Sequence, residues 1–516
     1  MSTTAMTAPD RVAIRVGDDA LTYGEVHRRA MEWAGALRAA ASRRPTRIGV
    51  LAGRSIEAHI GVLAAIYAGA AAVPLNPDFP SRRTAAMMRA AKVDAVILDS
   101  RAARSSGIAP HDLGGLPVLA PTVPAGTVSG AIDLEAAPLA APTRPRPDDV
   151  AYVMFTSGST GTAKGVPVSH ANLSHFLRVV ESRYPLGPGD VLAQTFEPTF
   201  DLFMFSLFVG WRAGATVTAV PPRAYRSLGQ FIRDSAVTMW FSVPSSIGLA
   251  RRMKQLSPGA LGGLRWSLFC GEPLTIDDAN AWRIAAPEAV LDNLYGPTEL
   301  TIACTAHRWN GTDPGVNGLV PIGRLHPGHR GLLVDPDCVP NADEGELCVS
   351  GPQMISGYLT TSDDDGRFIQ RSGDRYYRTG DVVRRLPDGG LAYLGRRDFQ
   401  VKVRGYRVEP TEVEAALRAL DGVEEAAVVT VGEAEDRQLA AFVRGSGREP
   451  AGLARSVATI LPPYMVPRWI WWVDDLPLNP NGKTDRRRLV REAESRLATR
   501  HPPRDQGSAQ PPYGRR

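Results

Sequence analysis

Short apolar runs alternating with helix-length stretches fill the first 400 residues. This alternation limits what the chain can fold into more than any other feature. "RIGVLAG" (47–53) reads as a strand and "SIEAHIGVLAAIYAGA" (55–70) as the helix after it. "DAVILDS" (94–100), "GATVTAVP" (214–221) and "TMWFSVPSS" (238–246) continue the pattern. Such an order predicts α/β layers with largely parallel sheets. The apolar run from Ile60 to Leu75 is too short to span a bilayer and contains Pro74. It reads as a buried helix leading into a strand. At 516 residues the chain exceeds one ordinary core, so two or more domains are expected.

The character changes near residue 398. "GRRDFQVKVRGYRVEPTEVEAALRAL" reads as a β-hairpin followed by a helix. "EEAAVVTVG" and "RQLAAFVRG" read as strands and "AGLARSVATIL" as another helix. We expect a core of residues 1–397, a small α+β domain of 398–490 and a disordered basic tail of 491–516.

Charge and cysteine usage exclude several classes. Hydrophobic residues make up 44% and charged residues 22%, the balance of an ordinary soluble domain. A net charge of +5 is small for this length and does not indicate a nucleic-acid binder. Cys270, Cys304, Cys338 and Cys348 form no CxxC pair and have no His at zinc spacing. They read as reduced thiols of a cytoplasmic protein. The N-terminal residues lack the apolar core of a signal peptide.

One loop carries chemistry on its face: "YVMFTSGSTGTAKGVPVSH" (152–170). It is not a Walker loop, because Lys164 is followed by Gly165, and its glycines do not fit GxGxxG. Gly158, Gly161 and Gly165 still let the backbone offer N–H groups. Ser157, Ser159, Thr160 and Thr162 add hydroxyls, and Lys164 adds charge. Composition alone leaves a phosphate cradle and a flexible linker both open.

The rest of the chain decides between them. TSGSTGTAKG resembles the phosphate loop of the adenylate-forming superfamily. In that family's order follow "LTYGEV" (21–26), "FDLF" (200–203), "NLYGPTE" (293–299), "GELCVSGPQMISGYL" (345–359) and "YRTGDVV" (377–383). "GRRDFQVKVRGYRVE" (395–409), "LPPYMVP" (461–467) and "NGKTDR" (481–486) complete the set. The wording is most similar to free-standing amino-acid adenylation enzymes of the nonribosomal peptide synthetase type. Ala163 stands where the family often has Pro, and Pro410-Thr411 replaces its Leu-Gly. Neither change removes a functional group.

The resemblance implies an α/β fold with a large N-terminal domain of layered subdomains and a small distorted barrel, plus a small mobile C-terminal domain. It implies activation of an amino acid by ATP with Mg2+, giving aminoacyl-AMP, then transfer to a thiol. Lys483 would bridge substrate carboxylate and α-phosphate. The loop residues Thr156, Ser157, Gly158, Ser159, Thr160 and Gly161 would hold phosphates, with Lys164 as an auxiliary clamp. Tyr295, Gly296 and Thr298 belong to the ATP site, Tyr295 stacking on adenine. Asp381 and Arg396 would contact ribose, and Glu299 would ligate Mg2+. Asp398 resembles the family's hinge. Lys402 and Gly405 lie on the hairpin expected to enter the site for thiol transfer, with Gly405 leaving room for pantetheine.

The substrate question rests on Asp201, a carboxylate amid Phe, Leu and Met. Burying it unpaired is costly, so it wants a cation, which the resemblance makes the substrate ammonium. The plainer reading is a cap on the helix "LFMFSLFVG". Matching the motifs places Leu202, Phe205, Ser245, Leu268, Cys270, Leu294, Ile302 and Ala303 around the side chain. This lining is apolar, and suits an apolar β-amino acid or proline. Only residues 484–516 follow Lys483, so the expected acceptor is a separate carrier protein bearing phosphopantetheine. An acyl-CoA synthetase and an inactive nucleotide-binding paralogue are the alternatives. No nucleic-acid or membrane partner is expected.

Overall fold

The computed structural model describes residues 1–105, 115–124, 127–128, 130–132, 134, 136–158, 163–313, 315–341, 343–397, 400–403, 405–432, 437–446, 449–477 and 484–500. Two largely parallel sheets dominate. One orders its strands as Val118–Leu119, Ala95–Leu98, Arg47–Leu51, Ala71–Leu75, Val150–Thr156 and Lys164–Ser169. Only its last pair is antiparallel. The other has nine strands, with Val191–Gln194, Met239–Ser242, Trp266–Phe269 and Val290–Tyr295 parallel at its centre.

These strands form where the sequence runs apolar because both faces are covered. Ile48, Val50 and Leu51 are fully buried, as is most of the helix Ile56–Tyr67 that follows. Ser55 caps that helix by accepting the Ala58 N–H. The helix Asp201–Ala213 ends at Gly214, whose left-handed backbone (φ +71°) a side chain would resist. A third, antiparallel sheet joins Arg330–Val334, Glu344–Ser350, Asp374–Arg385, Phe368–Arg371 and Leu391–Arg396.

The C-terminal part has its own apolar clusters. It contains the hairpin Val401–Val403 with Tyr406–Val408, the helix Pro410–Arg418 and a three-stranded sheet. That sheet includes Trp469–Trp472, pairing parallel to Gln438–Gly445, which the sequence reading did not name. The helix Arg486–Arg500 follows, so residues 491–500 of the expected disordered tail are helical instead. Asp398, the expected hinge, and the tail beyond residue 500 lie outside the described residues.

The topology gathers the motifs at one place. The phosphate loop follows the strand Val150–Thr156, and Asp201 follows Val191–Gln194. Cys270 follows Trp266–Phe269, and Gly296 follows Val290–Tyr295. All leave the carboxyl ends of parallel strands, where α/β sheets place ligands.

Candidate active site

A cavity of about 110 Å³ opens at these strand ends. Thr156, Ser157, Asp201, Leu202, Cys270, Tyr295, Gly296, Thr298, Ile302, Asp381 and Arg396 all line it. The hairpin of the small domain closes it, contributing Lys402, Gly405, Tyr406 and Arg407. An adjoining cavity of about 300 Å³ runs along Gly271, Glu272, Leu294, Tyr295 and Asp381. The structure thus brings about half of the expected site residues to one cavity, across about 250 positions of chain.

Not every expected residue faces the main cavity. Phe205 is fully buried against Phe241, with ring centroids 4.5 Å apart, and Leu268 and Ala303 are fully buried in the same apolar core. Ser245 begins a helix, and its N–H donates to Glu272 at 2.8 Å. Lys164 is buried and pairs with Asp363 at 3.4 Å, its ammonium lying over the Tyr358 ring. Its charge is thus engaged away from the main cavity in this arrangement. Lys483, Ser159, Thr160 and Gly161 lie outside the described residues.

Asp381 and Arg396 are register partners on adjacent antiparallel strands. Their side chains pair at 2.7 Å, and the Tyr295 hydroxyl donates to the other Asp381 oxygen at 2.6 Å. Each carboxylate oxygen thus keeps one acceptor position for a further hydroxyl. The ring of Tyr295 is held in place by that bond, as a stacking platform requires.

Asp201 is buried and makes no ion pair with a described residue. Phe200, not Asp201, occupies the cap position of its helix, which corrects the plainer reading. Burial pushes its carboxyl up to about 6, although the Thr298 hydroxyl works against this. Glu299 adds to the upward push, and Lys402 is felt electrostatically without pairing. Burial also lowers the Lys402 ammonium, with Asp381 opposing. Cys270 beside them has its thiol pushed up to about 12 by burial, so it is a small apolar wall residue rather than a nucleophile.

Glu299 has the opposite surroundings. Its carboxylate accepts the Tyr358 hydroxyl at 2.5 Å and the Arg407 guanidinium at 3.1 and 3.3 Å. Burial pushes it up, but Arg407 and Tyr358 outweigh that and hold it below the usual carboxylate range. Among the described residues no three His, Cys, Asp or Glu groups gather as a metal cage. One charged carboxylate fits magnesium, which is held by one or two acids plus substrate phosphates. It fits only with Arg407 withdrawn, since a guanidinium now fills the cation position.

Several contacts had no local sequence signal. Glu272 accepts both the Ser245 N–H and the Gly405 N–H, tying the hairpin to the cavity rim. Gly405 has φ +83°, and a Cβ there would stand 2.7 Å from Val243. Only glycine lets the hairpin close this far. At the wall, Thr301 and Ile302 hold left-handed backbones (φ +57° and +71°), strained for β-branched residues. Gln353 braces them, donating to the carbonyls of Leu300, Thr301 and Ala303.

Comparison with known proteins gives one answer. The family model described as AMP-binding enzyme matches residues 1–359, and that of the AMP-binding enzyme C-terminal domain matches 412–483. The chain is 35% identical over 496 residues to an L-proline–[L-prolyl-carrier protein] ligase of Pseudomonas fluorescens, covering 94% of this chain and 97% of the relative. It is 36% identical over 511 residues to the enzyme of the same description from Streptomyces coelicolor, covering 94% of each. The crystal structure of IdnL7 superposes with a TM-score of 0.73 at 46% identity, covering 95% of this chain and 97% of that one. The Vibrio cholerae adenylation domain AlmE, solved with glycyl-adenosine-5'-phosphate, gives 0.84 at 28% identity, covering 96% of each chain.

Proposed function

The chain belongs to the AMP-binding enzyme family, and on that premise we propose that it activates a small apolar amino acid and passes it to a separate carrier protein. It is an amino-acid adenylating ligase. The observation that carries the substrate reading is Asp201: a buried carboxylate on the cavity wall with no paired cation among the described residues. A substrate ammonium supplies that cation. A plain carboxylic acid would leave the carboxylate uncompensated, at a cost that buried charges do not tolerate.

In the first half-reaction a substrate carboxylate oxygen attacks the α-phosphorus of ATP and pyrophosphate leaves. The acid is already ionised, so positioning and charge neutralisation carry the catalysis, not a general base. Lys483 holds carboxylate and α-phosphate together. Thr156, Ser157 and Gly158, with Ser159, Thr160 and Gly161, hold the outer phosphates, and Lys164 supports the loop. Tyr295 and Gly296 seat the adenine, Asp381 and Arg396 the ribose. Magnesium, when bound at Glu299, neutralises phosphate charge.

In the second half-reaction a pantetheine thiol attacks the acyl carbon, loses its proton and expels AMP. The hairpin carrying Lys402 and Gly405 is seated against the cavity for this step, and Asp398 serves as the hinge between residues 1–397 and 398–490. The apolar wall of Leu202, Phe205, Leu268, Cys270, Leu294, Ile302 and Ala303, with Ser245 at the rim, admits proline or an apolar β-amino acid. The similarity to prolyl-carrier ligases supports the first of these.

The acceptor is tested by incubating enzyme, ATP and amino acid with either a phosphopantetheinylated carrier protein or free CoA. Intact-mass analysis should show the aminoacyl adduct on the carrier and little on CoA. Equal acylation of CoA would return the chain to the acyl-CoA synthetases.

A further inference from the structure

Three backbone carbonyls converge on one point next to the cavity wall at Ile302. They belong to Leu300, Thr301 and Ala303, and the Gln353 side-chain amide donates to them at 3.1, 3.2 and 2.7 Å. Gln353 is fully buried. Carbonyl oxygens brought together out of water repel one another and are costly to leave unpaired, so a donor has to stand between them. Two further bonds join the same segments. The Thr301 hydroxyl donates to the Gln353 carbonyl at 2.7 Å, and the Ile355 N–H donates to the Glu299 carbonyl at 3.0 Å.

The other end of the amide is an oxygen, and His326 Nδ1 stands 3.1 Å from it. A carboxamide oxygen only accepts, so His326 donates from Nδ1. The three carbonyls on one side and this N–H on the other fix which way round the amide lies. His326 is itself held, because its backbone N–H donates to the Cys304 carbonyl at 2.7 Å.

What the amide secures is the turn that carries Ile302. Thr301 and Ile302 adopt left-handed conformations one after the other, which β-branched residues resist. Ile302 is 1% exposed and lines the main cavity, as do Thr298 and Gly296 on either side of the turn. The direction of the Ile302 side chain is set by its backbone. Released from Gln353, the two residues would leave the left-handed region, and the Ile302 side chain would swing with its Cα–Cβ bond.

We propose that Gln353, seated by His326, is a positioning residue that sets the size limit of the substrate side-chain pocket through Ile302. This rests on the reading of Ile302 as part of the wall around that side chain. A purely structural brace would cost activity with every acid alike. A brace that aims Ile302 changes which acids are accepted.

The test is a selectivity ratio. ATP–pyrophosphate exchange gives kcat/KM for the best apolar amino acid of a panel and for its homologue two carbons larger. In Gln353→Met the ratio of the first to the second should fall about tenfold, the lower end of what a pocket wall contributes for one methylene. The change should lie in KM for the larger acid. His326→Leu leaves the amide oxygen unpaired and should move the ratio the same way by less. His326→Asn, which offers an amide N–H in place of Nδ1, should restore it. In an Ile302→Ala background, Gln353→Met should change the ratio no further. Equal losses for both acids in Gln353→Met, with the ratio unchanged, would overturn the proposal and leave the assigned function standing. If that variant does not fold, an unchanged ratio in His326→Leu overturns it instead. No exchange with any amino acid in the wild-type chain would overturn the assigned function and this proposal together.

Discussion

Asp201 and Glu299 are both buried carboxylates at one active site, and their surroundings drive them in opposite directions. Glu299 meets a guanidinium and a phenol, and stays charged. Asp201 meets a threonine hydroxyl and apolar walls, and is pushed up to about 6. Glu299 is paired by the protein's own small domain. On the proposed reading, the Asp201 end is left for a substrate cation. The proposed two half-reactions use this asymmetry: one end is released and refilled within a cycle, and the other reads the substrate.

Breaking the metal end should have the largest effect. Glu299→Gln should slow adenylation by about 10²–10³-fold, the size of losing one charge-stabilising group. It also strips Arg407 of its partner. Breaking a buried pair costs about 3–5 kcal/mol where the stranded charge cannot escape. On the proposed hinge the hairpin swings Arg407 into water, so the loss should appear as undocking, with Tm nearly unchanged by differential scanning calorimetry.

The substrate end should respond with a trade. Asp201→Asn should lower kcat/KM for the amino acid by about 100-fold, from an uncompensated ammonium worth about 3 kcal/mol. The same change should stabilise the free protein. Because the folded-state value lies above the ordinary one, the folded chain holds this proton more tightly than the unfolded chain. The group therefore weakens the fold as pH rises from about 4 through about 6, and its full cost remains above that. Removing it should raise stability at pH 8 by up to about 3 kcal/mol and leave stability at pH 4 little changed, measurable by urea unfolding at both values.

Much of this asymmetry was beyond local reading. The strands Arg47–Leu51 and Ala95–Leu98 were legible because buried parallel strands are continuous apolar runs. The hairpin and the helix after Glu409 were legible from their turn glycine and amphipathic spacing. Asp201 stood out as a charge in an apolar stretch. The pair Arg407 with Glu299 spans 108 positions, and Glu412 with Gly158 spans 254. No local pattern encodes contacts so distant. The Gln353 brace was equally hidden, since a glutamine's partners are backbone carbonyls without sequence identity.

Two smaller effects sharpen the comparison. For an amine substrate, kcat/KM should fall about tenfold for each pH unit below about 6, as Asp201 takes up its proton in the free enzyme. Stopped-time assays from pH 5 to 8 check this, and a deaminated analogue should lack that limb. Tyr406 stacks on Tyr464 at 3.8 Å and meets Phe200, the residue before Asp201, edge-on at 4.6 Å. Tyr406→Ala should weaken docking by about 1 kcal/mol and slow carrier loading roughly fivefold, leaving adenylation untouched.

The central claim is that Asp201 selects an amine. ATP–pyrophosphate exchange with matched pairs, proline against cyclopentanecarboxylic acid and a β-amino acid against its deaminated acid, tests it most directly. The account predicts exchange with the amines at least 100-fold above their partners, and loss of that preference in Asp201→Asn. Equal exchange by amine and deaminated acid in the wild-type enzyme would contradict it.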